Sequence, residues 1–334
     1  MVLLDACLER RRDAVVAVAT FDHGTGPAAS AAAALVEQTC LEAGVPVVSG
    51  RLATGSGQWA ADGAPMAVAS GLPAVDSGPK AVMGRRTADG VQRTAYSFSS
   101  ASSRPTEASW RAARWSFLRA VAEEHHATIV TAHTRDDQAE TVAMRILRGA
   151  SARGLAAMAT RATGIVRPLI GVPRAEVASY AIDRGVRFLD DPSNLNPAHL
   201  RNRLRTDLMR AVLAVQPEFV AELCGIAERA AAWRRALAEV VDTMEMQQVG
   251  QSLVVAAGAL EGIDATGRAV LWPELAGRLG LTMDRRGVSR AAMWSISARP
   301  GQSMPLSGGA CIERTVRTFV MRPPGPAASP DSWR

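Results

Sequence analysis

Three apolar runs constrain the fold of this chain more than anything else in its sequence. AVVAVATF (14–21), VPVVSGRL (45–52) and ATIVTAH (127–133) are rich in Val and Ile, and the first is unbroken by polar alternation. A strand of that kind is covered on both faces. Between and after such runs lie helix-forming stretches. Pro27 suits a first helical residue, the alanine-rich segment runs to Ala43, and Gly44 stops it. The segment 106–124 places Trp110, Ala113, Phe117 and Val121 on one stripe. Further on, IVRPLI (165–170) reads as a strand, Pro173 opens a helix that Gly185 closes, and VRFLDDPSN (186–194) reads as a strand delivering a turn. Strands alternating with helices of this length predict an α/β fold with a doubly wound parallel sheet. Ligands of such sheets bind at the carboxyl ends of the strands, which is where His23, His133 and Asp190 fall.

The pattern predicts a first domain over 1–210, a helical linker over 211–250, a small mixed domain over 251–322 and a disordered tail over 323–334. Leu3, Leu4, Cys7 and Leu8 lie at helical spacing, so a helix precedes the first buried strand. Residues 53–104, with GSGQWAADGAP and SFSSASSRP, have no sustained period and predict a long mobile insertion without elements of its own.

Charge narrows the partners. Lys and Arg total 38 against 32 Asp and Glu, and Lys80 is the single lysine, so nearly all positive charge is guanidinium. Guanidinium favours planar, bidentate partners such as phosphate. Arg145, Arg148, Arg153, Arg201, Arg203 and Arg205 suit phosphate contacts, with a solvated helix face as the plainer reading. Cys7, Cys40, Cys224 and Cys311 have no metal-type spacing and predict thiols in a reducing cytoplasm. No apolar run approaches the ~20 residues of a membrane-spanning helix, so a cytoplasmic protein is expected. Lys80 belongs to no GxxxxGK[ST] loop, the SGGA of 307–310 reads as a turn, and no GxSxG elbow is present.

The chemistry concentrates in TAHTRDDQAET (131–141), which packs His133, Asp136, Asp137 and Glu140 at a strand's carboxyl end. Asp137 and Glu140, three apart, share a helix face. Either Asp alone could simply cap the helix. The cluster could also bind a magnesium ion carried on phosphates, hold an ammonium group, or supply a general base, and the residues leave these three open. Zinc is disfavoured, because the HExxH spacing is absent. In TFDHG (20–24), Asp22 and His23 close the first strand at the same sheet edge.

These motifs, taken in order, resemble the tRNA(Ile)-lysidine synthases of the PP-loop ATP pyrophosphatase superfamily. The resemblance runs through FDHG with Ser30, EASWRAARWSFL, AHTRDDQAET with the RG at the helix end, RPL, DPSN and RNRLR, over about residues 1–210 outside the insertion. The stretch GQSMPLSGGACIERTVRTFVM (301–321) looks, more weakly, like that family's C-terminal tRNA-binding domain. The resemblance implies a ligase that uses ATP and magnesium to join lysine to C2 of the wobble cytidine of tRNA(Ile) with a CAU anticodon, through an adenylated tRNA. It implies catalytic roles for His133, Asp136, Asp137 and Glu140, nucleotide contacts for Asp22 and His23, and tRNA contacts for Arg145, Arg148, Arg201, Arg203 and Arg205. Asp137 would be the magnesium ligand, and a homodimer is compatible with the resemblance.

The family also carries an SGGxDS phosphate loop, and this sequence does not contain one; MVLLDACL reads as the helix directly after it. The expectation is that an internal methionine was taken as the start. The alternatives are an ATP-deficient homologue that binds tRNA without modifying it, and another PP-loop tRNA-modifying enzyme. A thiolase of that kind would rely on paired cysteines, whereas the four here are dispersed.

Overall fold

The computed structural model describes residues 1–24, 26–53, 80–86, 92–99, 107–189 and 199–324. Two compact units divide the chain, Met1–Ala227 and Glu228–Arg334.

The first unit begins with helix α1 (Val2–Arg11), which leads through a short 3-10 turn to strand β1 (Val18–Asp22). Helix α2 (Pro27–Ala43) starts on its proline and ends where Gly44 turns left-handed at φ 64°, its N–H closing on the carbonyls of Cys40 and Leu41. That conformation suits a residue without a Cβ. Strand β2 (Val47–Ala53) then returns parallel to β1, with Phe21 opposite Gly50.

The stretch 53–104, expected to lack elements of its own, contains two strands. Residues Lys80–Arg86 and Gln92–Ser99 form strands β3 and β4, antiparallel to each other, and β4 pairs parallel with β2 in the order β1-β2-β4-β3. Sequence period did not reveal them, because β-strand stability depends on cross-strand neighbours more than on intrinsic preference.

Helix α3 (Glu107–Glu124) packs on this sheet through Phe117, which is fully buried and 5.5 Å from the Phe21 ring. Gly50 makes that approach possible. A Cβ there would sit 2.7 Å from Phe21 Cδ2 and 2.9 Å from Phe117 Cδ2.

A second, three-stranded sheet carries the motif. Strand β5 (Ile129–Val130) is followed by helix α4 (Arg135–Leu147) and the single turn α5 (Ala152–Leu155). Strands β6 (Arg161–Ala162) and β7 (Ile165–Val166) complete it, β7 parallel to β5 and antiparallel to β6. The parallel α/β pairing is as predicted, but among the described residues it is divided between two sheets. The strands predicted at ATIVTAH and IVRPLI shrink to two residues each.

Helix α6 (Arg174–Asp183) follows β7. The described residues 186–189 of the expected strand VRFLDDPSN are not strand, and its DDPSN, with Asp190, lies outside the described residues. A helical run then comprises α7 (Leu200–Arg203), a π-helical stretch (Leu204–Met209) and α8 (Arg210–Val215). Leu204, Met209, Leu223 and Ala227 bury against Ala139 and Val142 of α4.

Helix α9 (Phe219–Asp242) carries the chain from the first unit into the second. There an antiparallel sheet has the order β10-β11-β12-β9-β8, from β8 (Met246–Val249), β9 (Ser252–Ala256), β10 (Ser303–Pro305), β11 (Cys311–Arg314) and β12 (Thr318–Arg322). Helices α10 (Ala265–Arg278) and α11 (Arg285–Ser297) cover it, with Trp272, Leu260, Leu275 and Ile312 fully buried. Arg268 is buried there too, donating to the carbonyls of Ile263, Ser295 and Leu260. No helix among the described residues is long and apolar enough to cross a membrane.

Candidate active site

Two parallel strands ending side by side create the site. Val130 of β5 lies opposite Val166 of β7, and the Thr131 N–H continues the ladder to the Val166 carbonyl. Each strand then turns into a helix, α4 after β5 and α6 after β7. The two turns are fastened together. Arg135 N–H donates to the Val172 carbonyl at 2.9 Å, and Arg174 N–H donates to Asp136 Oδ2 at 2.7 Å. Asp136 therefore accepts from the first N–H of α6, a group no helical partner can satisfy.

Asp137 closes its own helix. Thr134 is the N-cap, and its N–H and hydroxyl donate to Asp137 Oδ2 at 2.8 and 2.9 Å, while Asp137 N–H points back to Thr134 Oγ1 at 3.4 Å. This is a reciprocal capping box. The other oxygen, Oδ1, accepts from Arg174 Nη2 at 3.1 Å and Arg201 Nη2 at 2.9 Å.

Glu140, one turn along, is 3% exposed and is gripped by three guanidiniums. Arg205 Nε and Arg201 Nε each lie 2.7 Å from its oxygens, Arg205 Nη2 at 3.1 Å, and Arg174 at 3.3 and 3.4 Å. Burial pushes both carboxyls up. For Asp137 the Thr134 donors and the charges of Arg201 and Arg174 outweigh it, and for Glu140 Arg205 and Arg201 do. Both therefore lie below their ordinary range and stay ionised at neutral pH.

His133 completes the mouth. Its Nδ1 meets Thr131 Oγ1 at 2.8 Å. Burial first, then the charges of Arg167, Arg114 and Arg201 against the opposing pull of Asp137, brings its pKa down to about 4. The imidazole is therefore neutral at pH 7, a good hydrogen-bonding group and a weak proton acceptor.

At the end of β1, Asp22 is buried and accepts from Gly24 N–H at 2.8 Å and Ser30 Oγ at 2.9 Å, with Arg51 Nε at 3.5 Å. The His23 ring lies 5.0 Å from Phe21 and 6.4 Å from Trp110.

The structure thus brings His133, Asp136, Asp137 and Glu140 together, but it gives the carboxylates partners that the sequence did not suggest. The donor set at Asp137 does not fit a magnesium ligand, since both oxygens already face N–H or O–H groups. Nor is any cluster of three or more metal-ligating His, Cys, Asp or Glu present among the described residues. Arg201 and Arg205, expected on tRNA phosphates, are turned inward onto Asp137 and Glu140. Arg145 reaches the Gly154 carbonyl, whereas Arg148 and Arg203 are exposed.

Arg174 is the participant that the sequence reading passed over. Its signal was available: a basic residue directly after a helix-opening proline, against the helix dipole.

Residues 89–212, which hold this entire cluster, match the model of a PP-loop domain. The chain is related in sequence to tRNA(Ile)-lysidine synthases. That of a Bradyrhizobium species is 37% identical over 221 residues, 63% of this chain and 58% of that protein. That of Pseudomonas fluorescens is 44% identical over 112 residues, 32% of this chain and 25% of that one. That of Thermobifida fusca is 44% identical over 104 residues, 31% and 32% of the two chains. The matched parts thus span less than two thirds of each relative. Among solved structures, a U34-tRNA thiolase, NcsA from Methanococcus maripaludis, superposes with a TM-score of 0.37 at 14% identity over 68% of this chain and 76% of that chain, too distant for either fold or function to follow.

Proposed function

We propose that this protein ligates lysine to C2 of the wobble cytidine of tRNA(Ile) bearing a CAU anticodon, consuming ATP in the cytoplasm. The observation that carries the reading is 37% identity to a lysidine synthase over 221 residues, in a chain whose strand-end cluster keeps the AHTRDDQAET order. In this reaction ATP adenylates the C2 carbonyl oxygen and releases pyrophosphate. The lysine amine then attacks C2, the new C–N bond forms, and the C–O bond to AMP breaks.

The residues divide the work by charge. Asp137 and Glu140, held ionised, offer the carboxylate oxygens that accept from a substrate ammonium. Neutral His133 hydrogen-bonds without adding positive charge next to it. Asp136 ties the start of α6 to α4 and so keeps both turns in one geometry, a form of preorganisation. Asp22 holds the turn after β1, where a nucleotide would approach the sheet's carboxyl edge. Exposed Arg148 and Arg203 remain for tRNA phosphates. Magnesium would accompany the ATP phosphates and takes no ligand from Asp137 in this reading.

The purified chain is incubated with ATP, labelled lysine and a tRNA(Ile) transcript carrying CAU. Lysine label in the tRNA, with stoichiometric AMP, is expected. No label would overturn the ligase, and retained tRNA without label would favour the binding-only homologue.

A further inference from the structure

One nitrogen in the cluster already does what a substrate ammonium would have to do. Arg174 Nη2 lies 3.1 Å from Asp137 Oδ1 and 3.3 Å from Glu140 Oε1, bridging the two carboxylates. An alkylammonium, with three donors on a single nitrogen, can bridge the same pair of oxygens.

The three guanidiniums are not held equally. Arg205 and Arg201 make contacts of 2.7 Å each to Glu140, and Arg201 a further one of 2.9 Å to Asp137, whereas every side-chain contact of Arg174 is between 3.1 and 3.4 Å. The Arg174 side chain is 39% exposed, against 28% for Arg201 and 33% for Arg205. As the first residue of α6, Arg174 also sits at the positive end of that helix, which disfavours its charge. Arg201 shares that disadvantage at the start of α7 but has the shorter bonds. Finally, α6 does not depend on the guanidinium for its docking. The Arg174 main-chain N–H holds Asp136 at 2.7 Å whatever the side chain does.

We infer that the Arg174 guanidinium is a built-in stand-in for the substrate ammonium, occupying the bridge between Asp137 and Glu140 until an alkylammonium displaces it. The identity of that ammonium as lysine rests on the proposed ligase activity; the exchange itself rests on the geometry. Arg174 therefore works as a competitive occupant. It fills the bridge when no substrate is bound, and it lowers the apparent affinity of any incoming amine by the fraction of time it holds the bridge.

Isothermal titration of the full chain with L-lysine, and with n-pentylamine as an ammonium without a carboxylate, tests this. Arg174→Met, which keeps the length and the main-chain bond but removes the charge, is expected to bind both amines about tenfold more tightly, as for a bridge otherwise occupied about nine-tenths of the time. Arg174→Lys should stay near wild type, and adding Glu140→Gln to Arg174→Met should cancel the gain. Arg174→Gln serves as a second uncharged variant should the methionine protein fail to fold. Unchanged or weaker amine binding in the uncharged variants would overturn the inference, as would the absence of amine binding in every protein. Amine exchange without lysine incorporation into tRNA would leave the inference standing and remove the ligase. Incorporation without tighter binding in Arg174→Met would do the reverse.

Discussion

Replacing Glu140 by Gln isolates what the charge at the centre of the cluster contributes to folding. The side chain is 4% exposed and receives five contacts from three guanidiniums. Glutamine keeps the shape, but it presents an NH2 where one oxygen had accepted, and it leaves Arg205 without its counter-charge. Removing one partner of a fully buried ion pair costs about 3–5 kcal/mol. Here the arginines are 28–39% exposed, and water screens the orphaned charge, so the cost falls to about 2–3 kcal/mol. With a urea slope of about 2–3 kcal/mol per molar for a unit of this size, the midpoint of the unit containing α4 should drop by roughly 1 M. The second unit's transition should not move.

The pH dependence gives the same experiment a second reading. Glu140 has its pKa lowered in the fold from 4.5, so its stabilisation is fully present above that value and is lost as pH falls through the folded pKa. The gap between wild type and Glu140→Gln should therefore close as the pH is taken down from about 4.5. A loss below about 0.5 kcal/mol at pH 7, or a gap that does not narrow in acid, would refute the account of Glu140 as the charge that holds α7 and the stretch after it on α4.

Other consequences are open to direct measurement. His133, depressed from 6.5 to about 4, contributes stability that is present above pH 6.5 and lost as pH falls towards 4; His133→Asn should remove that segment of the stability–pH curve, worth a few kcal/mol at most. Gly50→Ala drives a methyl into Phe21 and Phe117 and should cost about 1–3 kcal/mol in thermal or urea unfolding of the first unit. Arg268→Ala removes three hydrogen bonds, leaves the Ser295 carbonyl without its donor and should destabilise the second unit by about 2–3 kcal/mol, seen as loss of amide protection in α10. Asp137→Ala should abolish lysine incorporation with little loss of tRNA retention; equal loss of both would mark the residue as purely structural.

Sequence alone determined the alternation of helices and strands, the helix stop at Gly44, and the gathering of His133, Asp136, Asp137 and Glu140 at one strand end. These follow from local rules: periodicity, proline and glycine geometry, and the three-residue spacing that puts Asp137 and Glu140 on one face. It also carried the order of motifs by which the relatives recognise the chain.

Tertiary structure decided what those carboxylates touch. Arg174 lies 37 residues from Asp137, and Arg201 and Arg205 lie 61 and 65 from Glu140, so no helical spacing couples them. The parallel pairing of β5 with β7 brings the two turns together, and the burial of Leu204 and Met209 brings the arginines in. The same dependence on distant partners hid β3 and β4, whose strand character comes from their pairing with β2 and with each other. TAHTRDDQAET announced a concentration of negative charge; folding determined that three guanidiniums neutralise it, and that the most loosely held of them occupies the position a substrate ammonium would take.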